Sequence, residues 1–286
     1  MSPDDLPHRF NPHQHPVLYH YTTASTARAI VKTPALWLSE STALNDTSEF
    51  TYGRDCLVSL LQQREVYVDT AARFCLTMAL LGLQSNTGLM IGSLTTRPDD
   101  LGQWRAYGDG AAGCVIGIDA GFLYDDAGVA VRTVMYDPDT VDCILKSGLK
   151  VLQQTYKHDP KNIAQLMESS RWLVSDLFAI KHPAFADERE VRISRMLVSD
   201  DRGGLVDIGG NDRNGNKTPV LRVETRAGAF GPTRYVSLPL INASGRHAIR
   251  SIGLGPAMSA EERATHARRF EAAGVETWMS ALPFRR

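Results

Sequence analysis

The sequence predicts an α+β fold in a single domain, and three observations carry that expectation. Strand-like and helix-like segments are intermixed without the regular βαβ rhythm of a doubly wound sheet. No internal repeat and no domain-sized linker divides the chain. The 286 residues, 43% hydrophobic and 22% charged, suffice for one large core with no pull toward disorder. Residues 1–15, polar and rich in Pro and His, read as a flexible arm, leaving 16–286 as the α+β domain.

The elements follow in order. Val17 to Tyr21 reads as a short strand, and the Thr22-Thr23-Ala24-Ser25 cluster offers caps for a helix over Thr26 to Val31. Pro34 stops that helix, and Ala35 to Ser39 reads as a second strand. Leu44-Asn45-Asp46 predicts a turn, since Asn and Asp bond their own backbone. Helices are expected over Gly53 to Arg64 and Asp69 to Leu83, then a buried strand over Leu89 to Thr95. Leu101 to Gly108 is a short helix or turn, and Cys114 to Asp119 and Val129 to Tyr136 are strands. A largely helical stretch, Val141 to Ile180, breaks at Pro160-Lys161.

Strands return at Glu190 to Val198, Leu221 to Thr225, Tyr235 to Pro239 and Ile249 to Leu254. The Gly/Asn/Asp-rich run from Gly203 to Lys217 reads as a loop, and Gly253-Leu254-Gly255-Pro256 as a strand-to-helix turn. Ser259 and Glu262 form a capping box for a last helix reaching Ala273, and Val275 to Ser280 closes the fold as a strand.

Composition removes several function classes. A formal net charge of -1 gives no global electrostatic case for nucleic acid or an anionic membrane, although a local basic groove stays open. Cys56, Cys75, Cys114 and Cys143 are widely spaced with no Cys-x-x-Cys, which argues against a disulfide framework or a zinc site. His8, His13 and His15 sit in the arm without a second ligand cluster, so no metal centre is expected. The start has no apolar signal core, and no run approaches the ~18 apolar residues of a membrane span. The expectation is a cytoplasmic protein without membrane partners, with export by a dedicated secretion system left open because such routes need no such signal. No Gly-x-Ser-x-Gly elbow or His-Glu-x-x-His motif supports a serine hydrolase or zincin.

Two distant segments carry the candidate chemistry. Tyr19-His20-Tyr21-Thr22 places an imidazole and aromatic rings at a strand end, where His20 could bond a ribose hydroxyl or act as a base. The alternative is a half-buried histidine satisfied by the backbone. Glu188 and Glu190 are two residues apart, so on a strand both project to one face, and their repulsion would raise one pKa. A solvated edge strand with alternating charges fits the same pattern. In Trp104-Arg105-Ala106-Tyr107, Arg105 suits a phosphate and the tryptophan suits a core anchor. Asn45 reads as a turn residue or, alternatively, a ligand contact.

Taken in order, these segments resemble an uncharacterised bacterial family, domain-of-unknown-function family 2971. The resemblance rests on Leu18-Tyr19-His20-Tyr21-Thr22, Leu36-Trp37-Leu38-Ser39 and Leu44-Asn45-Asp46 with Glu49, then Trp104-x-x-Tyr107-Gly108 with Gly113. Lys181 to Arg192, Gly253-Leu254-Gly255-Pro256 and Leu282 to Arg285 complete it, so that it covers most of the chain. At Ile91-Gly92-Ser93-Leu94-Thr95 the chain departs from the cysteine-phenylalanine-serine stretch expected there.

The layout also resembles the ADP-ribosyltransferase fold. That likeness implies a mixed, mainly antiparallel split sheet, NAD as substrate, an early histidine for the nicotinamide ribose and a late catalytic glutamate. His20, Glu188 and Glu190 are then the expected catalytic residues, with Glu190 stabilising the cationic transition state and Glu188 orienting the acceptor. His20, Tyr21, Thr22, Asn45, Arg105 and Tyr107 are expected to bind NAD, the aromatic rings by stacking and Arg105 through the pyrophosphate. The implied activity is mono-ADP-ribosyl transfer to a protein or nucleic-acid acceptor, in a toxin or defence setting with an immunity or regulatory partner. The alternatives are a non-catalytic nucleotide- or protein-binding module and a nuclease or phosphotransferase using His20 and Arg105.

Overall fold

The computed structural model describes residues 9–41, 48–63, 66–85, 88–228 and 231–284. It is an α+β chain with a mixed, mainly antiparallel sheet and packed helices. Strand β1 (Val17–Thr22) runs into helix α1 (Ala24–Lys32), which starts where the Thr23 hydroxyl accepts from the Thr26 amide at 3.1 Å. Strand β2 (Ala35–Glu40) follows. Helices α2 (Ser48–Gln62) and α3 (Thr70–Ser85) lead to β3 (Leu89–Thr95). Helix α4 (Leu101–Tyr107) is capped by Asp100 and precedes β4 (Cys114–Asp119).

The strand expected to reach Tyr136 is shorter, β5 (Ala130–Thr133). Asp137 caps α5 (Pro138–His158), whose proline at the first turn forgoes only an amide that the helix leaves unpaired anyway. Helix α6 (Ile163–Asp176) restarts after Pro160 behind an Asn162 cap. Next come β6 (Glu190–Met196), the short strands β7 (Val198–Ser199), β8 (Leu205–Val206), β9 (Gly210–Asn211) and β10 (Lys217–Thr218), and then β11 (Val223–Gly228) and β12 (Gly231–Pro239). Strand β13 (Ile249–Leu254), helix α7 (Ala260–Ala272) and β14 (Glu276–Met279) close the chain. The capping box at Ser259 and Glu262 is made in both directions.

The feature that positions the site is a fork in the sheet. Strand β3 pairs along its length with β6, which in turn pairs with β5. Its other edge is shared: β2 takes Met90 and Ile91, while β1 takes Thr95. From β2 the sheet continues through β12 to β11, and from β1 through β4 and β13 to β14. Of these pairings only β13 with β14 is parallel, with α7 between them in the chain.

Buried apolar residues fall into two main cores. Leu18, Leu38, Met90, Ile116, Ile193, Val236 and Ile252 pack the inner face of the sheet against α1 and α7. Leu57, Leu76, Leu145, Leu152, Leu166 and Val174 form the centre of α2, α3, α5 and α6. The helix faces bury Leu, Ile and Val at three- and four-residue spacing, and each full burial is worth roughly 1.5–3 kcal/mol.

Two expectations change here. The arm expected over 1–15 is docked from Arg9 onward: Arg9 bridges to Arg132 and Phe10 is only 2% exposed. One apolar residue inside a polar run gives little warning of this. The loop expected over Gly203 to Lys217 instead takes part in two small antiparallel pairs, β7 before it with β8 and β9 with β10, because glycines with positive φ at 203 and 215 reverse the chain tightly.

Candidate functional site

The gap between β1 and β2 is the mouth of a cleft of about 920 Å³, within the size range of small-molecule sites. Its walls are β1, α1, β2 and β3, with Gln103 and Tyr107 from α4 and Lys181, Glu188 and Glu190 beside them. Gly113 lets the end of α4 close on β1, since a Cβ there would strike the Thr22 carbonyl.

One end of the cleft is a knot of charges. Glu190 opens β6 and is buried; Arg192 grips it with Nε to Oε1 at 2.8 Å and Nη2 to Oε2 at 3.0 Å. Lys181 Nζ lies 2.6 Å from Glu188 Oε2 and 3.4 Å from Glu190 Oε2, so two carboxylates meet two cations. Burial pushes the Glu190 carboxyl up, but the Arg192 guanidinium, Lys181 and a Ser93 hydrogen bond outweigh it and hold the group below its ordinary value. The repulsion between glutamates, expected to raise one pKa, is thus cancelled at Glu190 by cations.

Glu188 is not on the strand. It ends a 3-10 turn over Pro183–Glu188, and Arg189 then adopts the left-handed conformation at φ 43° before β6 begins. The Thr95 hydroxyl donates to the Glu188 carbonyl at 2.8 Å, and Gln103 Nε2 donates to the same oxygen at 3.3 Å. The two side chains therefore differ in access: 19% of Glu188 is exposed against 5% of Glu190. Tyr107, itself 45% exposed, donates its hydroxyl to Glu188 Oε1 at 2.9 Å. Burial and the Glu188 charge push that phenol up to about 12, so it remains a donor.

His20 reaches the cleft differently. The registers Tyr19 to Thr95 and Thr95 to Glu190 put Tyr19 on the face of Glu190, and alternation starts His20 from the opposite face. Its ring, half-buried, lies at the fork, with Nδ1 3.4 Å from the Ser93 carbonyl. A carbonyl only accepts, so Nδ1 carries the hydrogen. Burial lowers the pKa more than the Ser93 bond raises it, which favours the neutral ring with Nε2 as an acceptor.

The other expected residues divide. Thr22 lines the cleft. Tyr21 borders it, but its hydroxyl donates to the Arg97 carbonyl and accepts from the Asp100 amide, both at 3.0 Å, while its ring packs edge-on against Trp104 at 4.8 Å. It anchors the loop before α4 and is not free to stack on a ligand. Arg105 is not among the cleft residues; its guanidinium sits 5.6 Å from the Phe284 ring centroid. Gln103 and Tyr107, one helical turn apart, face the cleft, and a residue midway between them must point away. Asn45 lies outside the described residues.

Lys181, Thr95, Gln103, Trp37 and Arg226 had no assigned role in the sequence reading. Lys181 and Trp37 enter the sequence analysis only as parts of the family motif.

Fold and site together define an α+β protein with a ligand-sized cleft at the fork of its sheet. Residues 103–193 match the family model described as "Protein of unknown function (DUF2971)". That segment holds the whole charged end, from Gln103 to Arg192, while His20, Trp37 and Arg226 lie outside it. No curated protein and no solved structure matched the chain. Among the described residues no helix is long and apolar enough to cross a membrane.

Proposed function

We propose that this cleft binds NAD as a substrate and transfers its ADP-ribose to a macromolecular acceptor. The observation that carries the reading is that His20 and the Glu188–Glu190 pair, 168 or more residues apart in sequence, line one cleft. In such a transfer the bond from ribose C1′ to the nicotinamide nitrogen breaks, its electron pair leaves with neutral nicotinamide, an acceptor lone pair forms the new bond to C1′, and the acceptor's proton passes to solvent. Positive charge develops on the ribose, and a preorganised carboxylate lowers the barrier by lying where that charge appears.

The difference in access supports giving that role to Glu188. Glu190 is buried and gripped by Arg192 and Lys181, so it orders the other groups. Glu188, more exposed and oriented by Tyr107 and Lys181, meets the ribose. His20 accepts from a ribose hydroxyl through Nε2, and the half-exposed Tyr107 lines the same cleft. The roles first expected of the two glutamates are thereby exchanged.

The test is nicotinamide release from labelled NAD, followed by transfer of label to acceptor protein or oligonucleotide. Glu188→Gln is expected to slow release by roughly a hundredfold at an unchanged denaturation midpoint. Undiminished release by that variant would sink the assignment. Binding of NAD without release of nicotinamide would favour the non-catalytic nucleotide-binding module instead. Because His20 works as the neutral base, the wild-type rate should hold as pH falls to its ordinary value of 6.5 and decline only below it.

A further inference from the structure

We infer that the wing made by β2, β12 and β11 is the second subsite of this cleft, with Trp37 receiving a nucleobase and Arg226 its phosphate. A dinucleotide would then lie with its adenylate half on the wing and its other ribose at Glu188. The choice of adenylate rests on the NAD reading; the chemistry recognised, a flat ring bearing a phosphate, does not.

The register builds one continuous surface. Ser237 opposes Trp37, Tyr235 opposes Ser39, Ser39 opposes Ile91, and Ser93 opposes Arg192. Directly opposed residues share a face, so Trp37 and Ser39 lie on the side of Ser93, Arg192 and Glu190. Arg226 opposes Thr233, two residues from Tyr235, which puts it on that side too. The wing's other side carries the buried Leu36, Leu38, Val236 and Leu238. The core therefore has no need of Trp37, which is 50% exposed and lines the cleft.

Arg226 is the cation of that surface. Its guanidinium lies 5.4 Å from the Trp37 ring centroid and donates to Ser39 Oγ at 3.1 Å. It pairs with no carboxylate among the described residues, whereas Lys181 and Arg192 both do. Glu224, the acid nearest along its strand, accepts from the Tyr235 hydroxyl at 2.8 Å. The two ends of the cleft thus differ: a charge-balanced knot that presents the Glu188 carboxylate, and a guanidinium without a carboxylate partner among the described residues that can take a fixed anion. A planar guanidinium offers a phosphate two parallel donors, and an exposed indole offers any base a stacking face. The competing explanation is a cross-strand ladder, Tyr235 on Trp37 at 4.5 Å with Arg226 beside it, that only steadies the wing.

Calorimetric titration of the full chain with AMP and ADP-ribose decides between them. Wild type should bind both, and Trp37→Ala and Arg226→Ala should each weaken AMP at least about tenfold. Trp37→Phe should retain most of the affinity, and Arg105→Ala, outside the cleft, should leave AMP binding unchanged. Failure of wild type to bind AMP, or unchanged affinity in both alanine variants, overturns the subsite. Failure of the enzyme reading looks different: AMP binds through Trp37 and Arg226, yet NAD yields no nicotinamide. Conversely, nicotinamide release with an unaltered KM in both alanine variants overturns the subsite and leaves the enzyme reading standing.

Discussion

At one end of the cleft, Lys181, Glu188, Glu190 and Arg192 are mutually paired, and their backbone is held by Thr95, Gln103 and Tyr136. At the other end, Trp37 and Arg226 stand half-open on a three-stranded wing, with one hydrogen bond to Ser39 and ring contacts around them. The buried Glu190–Arg192 pair of the first end is built into the fold, so its substitution should act on stability before chemistry, whereas the more exposed Glu188 should act on chemistry first. The second end is built onto the fold, where substitutions should act on binding alone. Under the proposed function, a cleft made this way would keep its reacting groups rigid and leave its recognition surface free to change.

The largest expected effect breaks the buried end. Arg192→Ala removes the bidentate partner of Glu190 and the donor to the Phe178 carbonyl at 2.7 Å. Truncating one member of a buried ion pair leaves the other without compensation, at a cost of roughly 3–5 kcal/mol. Chemical denaturation measures it, and a loss below about 1 kcal/mol would show that the knot is not a structural unit. The double variant Arg192→Met with Glu190→Gln restores charge balance and should recover most of the loss. Acid adds a second readout. The folded Glu190 pKa is depressed, so its contribution is full above the ordinary value of 4.5 and is lost as pH falls through the folded value. The double variant should lack that acid-side slope.

A smaller effect joins stability to position. Thr95 is buried, and its hydroxyl donates to the Glu188 carbonyl while accepting from the Arg97 amide at 3.2 Å. Thr95→Val keeps the shape and deletes both bonds, at about 1–2 kcal/mol. Nicotinamide release should fall by more than the lost folded fraction explains, because the turn carrying Glu188 loosens. Equal losses in the two measurements would make Thr95 a purely structural residue.

The same contrast explains what could be read from the chain beforehand. Strand β3, the Ser259 cap and the break near Pro160 were legible, since periodicity and capping are local signals. The position of Glu188 was not. Glu188 and Glu190 alternate as a strand does, and nothing local marks a left-handed arginine between them. Lys181 was visible only as a basic residue before a proline, because its two carboxylate partners meet it through a folded turn. Tyr21 reads in the chain as a free ring because its hydroxyl partners are loop backbone atoms nearly eighty residues away. Trp37 and Arg226 are 189 positions apart and meet only through the β2–β12–β11 register, which alternation alone does not specify.

The smallest expected effect lies at the joint between Glu188 and β6. Arg189 holds φ 43° and ψ 49°, and its side chain is exposed with no partner among the described residues. A residue with a Cβ pays roughly 1–2 kcal/mol in this conformation, while glycine surrenders about 0.5–1 kcal/mol more chain entropy on folding. Arg189→Gly should therefore gain somewhat less than about 1 kcal/mol in denaturation, the difference of the two. Its backbone would keep the Ala186 and Thr96 hydrogen bonds. The gain should come with slower nicotinamide release, because a glycine hinge lets Glu188 sample other positions. A stabilised variant at full activity would show that the side-chain contacts of Tyr107 and Lys181 suffice to place the carboxylate. A destabilised one would show that the Arg189 side chain contributes more than the strain it imposes.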